Sequence, residues 1–133
     1  MPSAPDTSNP DSPTCIAIVD DDESVREALG NLLRSVGYEV RAFCSAEDFL
    51  ERPGSDGFSC VVTDIQMPGM GGLEMHKRIV ASDKRLPVIL MTAFPRDHLR
   101  QQAEQQGAVA FLSKPFDASR MIECVERALR SPQ

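Results

Sequence analysis

Residues 16–40, IAIVDDDESVREALGNLLRSVGYEV, decide the fold. The first four, 16–19, are short, apolar and rich in β-branched side chains, as expected of a strand covered on both faces. We read them as the central strand of a sheet. Val25, Ala28, Leu29, Leu32, Leu33 and Val36 then recur with helical spacing, the apolar stripe of an amphipathic helix. Gly37 follows where a helix ends and left-handed backbone is needed. Residues 38–43 then alternate in the manner of an edge strand. Strand, helix and strand in immediate succession are the start of a βα rhythm.

The rhythm continues to the far end of the chain. Ser45 with Glu47 and Asp48 opens a short helix that ends before Pro53. Residues 58–63 form a third strand, the turn-forming MPGMGG (67–72) follows, and a helix covers 73–81. Residues 87–91 read as another buried strand. The helix over 96–106 has a thin apolar stripe, mainly Leu99 and Ala103, so it should be loosely held. Residues 109–112 form the last strand, and Met121, Ile122, Val125, Ala128 and Leu129 mark the closing helix. The result is an α/β fold of type (βα)5. Residues 1–13, with four prolines and three serines, are expected to be a disordered leader. The domain proper is 14–130, with 131–133 a tail or the start of a linker.

A chain of 133 residues suits one domain with a real core. A net charge of −6 and a pI near 4.8 argue against direct nucleic-acid binding, which leans on basic patches. If DNA is involved, another domain must touch it. No run approaches the roughly 20 apolar residues that span a bilayer, and no basic-then-apolar leader opens the chain. A cytoplasmic location, without membrane contact, is the default. Cys15, Cys44, Cys60 and Cys124 are scattered, and are expected to be buried, reduced thiols. His76 and His98 fall on helices away from the strand ends, in surface or partly buried roles, and neither reads as a phosphocarrier.

Chemistry gathers where strands run out. In an open parallel sheet, ligands bind outside the carboxyl ends of the strands. There stand Asp20 and Asp21, Asp64, Thr92 and Lys114. Taken singly, the run Asp20–Glu23 reads as a helix N-terminal charge cluster, Thr92 as an ordinary strand end, Lys114 as a solvated lysine and Phe111 as core. Together they describe one phosphoryl-transfer site. Carboxylates at neighbouring strand ends repel unless a cation neutralises them, and hard oxygen ligands suit Mg²⁺. A hydroxyl and an ammonium can each take a phosphoryl oxygen. Asp64, on the middle strand of the group, is the candidate nucleophile, because aspartate forms an acyl phosphate.

IAIVDDDESVREAL, VVTDIQMPGMGGLE, VILMTAF and GAVAFLSKPF together resemble the receiver domain of two-component response regulators, most nearly the FixJ-type receivers. The resemblance covers about residues 14–130. It implies a CheY-like, flavodoxin-like, doubly wound parallel sheet of order 2-1-3-4-5, with Asp64 phosphorylated by a sensor histidine kinase. Asp21 and Asp64 would then ligate Mg²⁺, the backbone carbonyl of Gln66 would add a ligand, and Asp20 would act mainly through water. Lys114 would contact the phosphoryl group, Thr92 would move to bond it, and Phe111 would be the switch aromatic of the 96–112 face. Lys114-Pro115 is expected to be cis. Gln66 and Phe94 would flank the attacking water, the bulk of Phe94 prolonging the phosphorylated state.

The resemblance also allows a homodimer through the 96–130 face and continuation past Gln133 into a helix-turn-helix output domain. One different class competes. Haloacid-dehalogenase-like phosphatases also use aspartate, Mg²⁺, a hydroxyl and lysine, and Asp20-x-Asp22 superficially fits their opening motif. Ser24 stands where Thr or Val is expected, however, and no late acidic pair follows Lys114.

Overall fold

A computed structural model of the chain describes residues 14–51, 57–82 and 86–130. The leader at 1–13, the approach to Pro53 and the tail at 131–133 lie outside the described residues. Five strands alternate with five helices: β1 Cys15–Val19, α1 Glu23–Ser35, β2 Glu39–Phe43, α2 Ala46–Glu51, β3 Cys60–Asp64, α3 Gly72–Ser82, β4 Val88–Thr92, α4 Asp97–Gln105, β5 Ala110–Ser113 and α5 Ala118–Arg130. All pairings are parallel, in the order β2-β1-β3-β4-β5. The fold is the doubly wound, flavodoxin-like one expected.

The central strand is β3, not the expected 16–19. β1 lies between β2 and β3, one place off centre. β1, β3 and β4 are all apolar and buried on both faces, so their sequences do not distinguish the middle strand from its neighbours.

Alternation along the strands divides the core in two. Ile16, Ile18, Val62, Ile89 and Met91 face α1 and α5, meeting Leu29, Leu33, Met121 and Val125. Ala17, Val19, Val61, Val88 and Leu90 face the other way, against Phe49 of α2, Met75 and Ile79 of α3, and Ala103 of α4. At roughly 1.5–3 kcal/mol for each large apolar side chain removed from water, both layers contribute strongly to stability. The helices are unequally anchored. α1 and α5 bury several residues each, whereas α4 buries Ala103 alone.

Local chemistry sets the ends of α1. Asp22 caps it, its side chain accepting from Ser24 N–H at 2.9 Å, and Glu23 lies in the first turn. At the other end Gly37, at φ +101°, lets Tyr38 N–H reach Leu33 O and Gly37 N–H reach Arg34 O.

Two expectations about side chains fail. Cys60 and Cys124 are buried, but Cys44 is exposed and Cys15 only partly covered. Cys15 opens β1 and Cys44 follows the edge strand β2, where cover is thin; none of the four is in a disulfide. Cys44 donates to Asp48 Oδ2 at 3.1 Å, and this bond chiefly raises its pKa. His76, expected in a surface or partly buried role, is buried almost completely against the start of the α4–β5 turn.

Candidate functional site

Parallel register brings the strand ends side by side. Val19 pairs with Thr63, Asp64 with Met91 and Thr92 with Ser113. Asp20 therefore follows β1 beside the end of β3, where strand order reverses and a crevice opens. Lys114 N–H donates to Thr92 O at 2.8 Å, fixing the turn beyond β5, and the Lys114-Pro115 peptide is cis. Gly72 closes the loop after β3. A Cβ there would collide with the backbone carbonyl of Asp64, so only glycine permits this approach.

Three carboxylates and one ammonium meet in the crevice. Lys114 Nζ lies 3.0 Å from Asp64 Oδ2 and 2.8 Å from Asp20 Oδ2. Asp20 is fully buried, Asp64 nearly so and Asp21 exposed. Asp20 Oδ1 accepts from Asp22 N–H at 2.9 Å, and Asp64 Oδ1 from Gln66 N–H at 3.1 Å. Asp20 Oδ2 has the lysine as its ion-pair partner at 2.8 Å and accepts no hydrogen bond from any other group among the described residues. A buried carboxylate oxygen so placed has a lone pair left for a further cation.

Burial raises the pKa of Asp64, and neighbouring Asp20 adds to the rise; the bonds from Lys114 and Gln66 oppose it. For Lys114, burial works against the charged form. Asp20 and Asp64 outweigh it and raise the ammonium's pKa above the ordinary lysine value. One ammonium thus serves two buried carboxylates without fully compensating them. Ligand oxygens of Asp20, Asp21 and Asp64 all lie within 4.8 Å of one another, close enough to share an ion. The all-oxygen donor set, with an exposed member open to water, fits Mg²⁺.

Thr92 is buried at the end of β4, but its hydroxyl is not turned to Asp64. It donates to the side-chain Oε1 of Gln66 at 3.2 Å and accepts from Phe94 N–H at 3.0 Å. Phe111 is 9% exposed, its ring lying 4.7 Å beneath the guanidinium of Arg100. Phe94 is 61% exposed, so its backbone rather than its ring engages the site. The structure therefore gathers Asp20, Asp21, Asp64 and Lys114, and joins Thr92 to them through Gln66.

Residues 16–126 match the family description "Response regulator receiver domain". The chain belongs to that family. This receiver is 38% identical to the transcriptional regulatory protein FixJ of Bradyrhizobium diazoefficiens over 118 residues, which is 89% of this chain and 58% of that protein. Among solved structures it is similar to FixJ-N, with 33% identity and a TM-score of 0.81 over 92% of this chain and 98% of that one. The BeF3-activated DrrB receiver domain gives 28% identity and a TM-score of 0.82 over 90% and 100%. The chain spans just over half the length of its FixJ relative. Receivers of this family are signalling domains that work with histidine kinases and output domains, and not a recognised enzyme family. The comparisons give the dehalogenase-like alternative no support.

Sequence reasoning missed four contacts that shape the receiver's site. Beside the Gln66 side chain on Thr92, Arg26 Nη1 donates to Asp20 O at 2.8 Å, Glu47 Oε2 accepts from Met70 N–H at 3.0 Å, and Arg100 covers Phe111. None is marked by a local motif, because each joins residues brought together only by the fold. Among the described residues, no helix is long and apolar enough to cross a membrane.

Proposed function

We propose that Asp64 accepts a phosphoryl group from a phosphohistidine of a sensor histidine kinase, and that the modified site switches the 96–112 face to control an output. The observation that carries this reading is the Lys114 ammonium held within 3.0 Å of Asp64 Oδ2 amid three clustered carboxylates. An Asp64 oxygen attacks phosphorus, the P–O bond forms, and the P–N bond breaks with its electrons returning to the imidazole. Lys114 neutralises one phosphoryl oxygen and the Thr92 hydroxyl donates to another. Asp20, Asp21, Asp64 and the backbone carbonyl of Gln66 would hold Mg²⁺. When bound, the ion neutralises charge on the carboxylates and on the transferring group.

As Thr92 turns inward, it vacates space that Phe111 can fill. A local charge change thereby biases a bistable face. Thin anchoring of α4 supports this reading, since little packing is lost when it shifts. The receiver unit is 14–130, between a leader at 1–13 and a tail or linker at 131–133. It acts in the cytoplasm and assists only its own phosphorylation and dephosphorylation. The partners are the kinase, a second copy through the 96–130 face, and a DNA-binding output domain controlling transcription. The acidic receiver does not itself touch nucleic acid.

Acetyl phosphate with Mg²⁺, followed by intact mass, tests the reading. A single phosphoryl adduct is expected on wild type, absent from Asp64→Asn and abolished by EDTA. Wild type without an adduct would sink it, and repeated turnover of a small phosphomonoester would point to a phosphatase instead.

A further inference from the structure

We infer that the Gln66 carboxamide is a resting-state clasp on Thr92, which the phosphorylated site must displace before the switch can operate. The inference rests on the receiver reading and concerns a different residue from those that take the phosphoryl group. A threonine hydroxyl has one hydrogen and two lone pairs. Phe94 N–H occupies one lone pair at 3.0 Å, and the hydrogen goes to Gln66 Oε1 at 3.2 Å. While that bond stands, Thr92 has nothing to donate to a phosphoryl oxygen. The carboxamide and the phosphoryl group compete for the same proton.

The placement of Gln66 suits such a role. Its backbone N–H holds Asp64 Oδ1 at 3.1 Å, while its side chain crosses to Thr92 on the neighbouring strand. One residue thus touches both the acceptor carboxylate and the hydroxyl that answers to its modification. Gln66 is exposed, so its side chain can swing into water with little desolvation lost, which makes the clasp releasable. Gln66 is a positioning residue: it acts through Thr92 and sets how much phosphorylated protein is needed to throw the switch.

Gln66→Met keeps the length of the side chain and removes the acceptor, whereas Gln66→Glu keeps an acceptor oxygen at the same reach. Three-bond couplings from the Thr92 γ-methyl carbon report its χ1 rotamer in metal-free, unmodified protein. A single rotamer is expected in wild type and Gln66→Glu, and averaging in Gln66→Met. Beryllofluoride with Mg²⁺ should bind Gln66→Met about threefold to tenfold more tightly than wild type, the worth of one ordinary hydrogen bond. In a Thr92→Val background the same substitution should have no effect. Thr92 couplings unchanged in Gln66→Met would overturn the clasp, as would an equal gain in affinity with and without the Thr92 hydroxyl. The couplings judge the clasp alone, while wild-type beryllofluoride uptake judges the receiver reading.

Discussion

Lys114 is the side chain on which the charge balance of the site turns. It is the ammonium that meets both Asp20 and Asp64, and both carboxylates are buried. Lys114→Ala leaves them facing one another and removes the proposed phosphoryl contact. Uptake from acetyl phosphate should fall about 100-fold, the usual scale for losing one preorganised donor, as measured by initial rates of adduct formation. A rate within a few-fold of wild type would relieve Lys114 of its role. Phe94→Ala should shorten the life of the phosphorylated state, read as the decay of adduct after the donor is removed. An unchanged decay would mean that the exposed ring does not hinder the attacking water.

At the scale of elements, the contrast between α1 and α4 is the telling one. Leu33 is fully buried between α1 and the sheet, while Leu99 of α4 is only partly covered. Leu33→Ala should cost about 3 kcal/mol in urea denaturation and Leu99→Ala under about 1 kcal/mol. Equal costs would remove the physical basis for a movable α4. His76 of α3 gives a second handle on this region. It is buried, its Nδ1 lies 3.2 Å from Gln106 Nε2, and burial lowers its pKa.

A histidine whose folded pKa is depressed binds its proton more readily when unfolded. Stability is therefore complete above the ordinary histidine value, near 6.5, and declines as pH falls below it. Melting temperatures of wild type should drop more between pH 7.5 and 5.5, roughly the ordinary histidine range, than those of His76→Gln. Parallel pH dependence in the two proteins would contradict this. The element types were legible because apolar spacing records them directly: Val25 to Val36 announces α1, and Leu99 with Ala103 announces a weak α4. The burial of His76 was not legible. Its polar ring belongs to no apolar stripe, and its partner Gln106 lies 30 residues away, just past the end of the next helix.

For the molecule as a whole, the proposed switch makes the sheet a fixed platform and one helical face the adjustable part. Both sides of β1, β3 and β4 are packed, and their carboxyl ends hold the acidic crevice in parallel register. The convergence of Asp20, Asp64, Thr92 and Lys114 could be read from sequence, since strand-end position in a parallel sheet specifies it. Which interior strand is central could not, because β1, β3 and β4 are equally apolar. Nor could the partner of the Thr92 hydroxyl, which a side-chain rotamer decides.

The central claim is that chemistry at Asp64 is felt at residues 96–112. Backbone and Phe111 resonances recorded with Mg²⁺, before and after beryllofluoride, test it most directly. The account predicts shifts at Thr92, through α4 and β5, and at the Phe111 ring, with little change on the α1 face. Beryllofluoride bound at Asp64, with the 96–112 resonances and Phe111 unmoved, would contradict it.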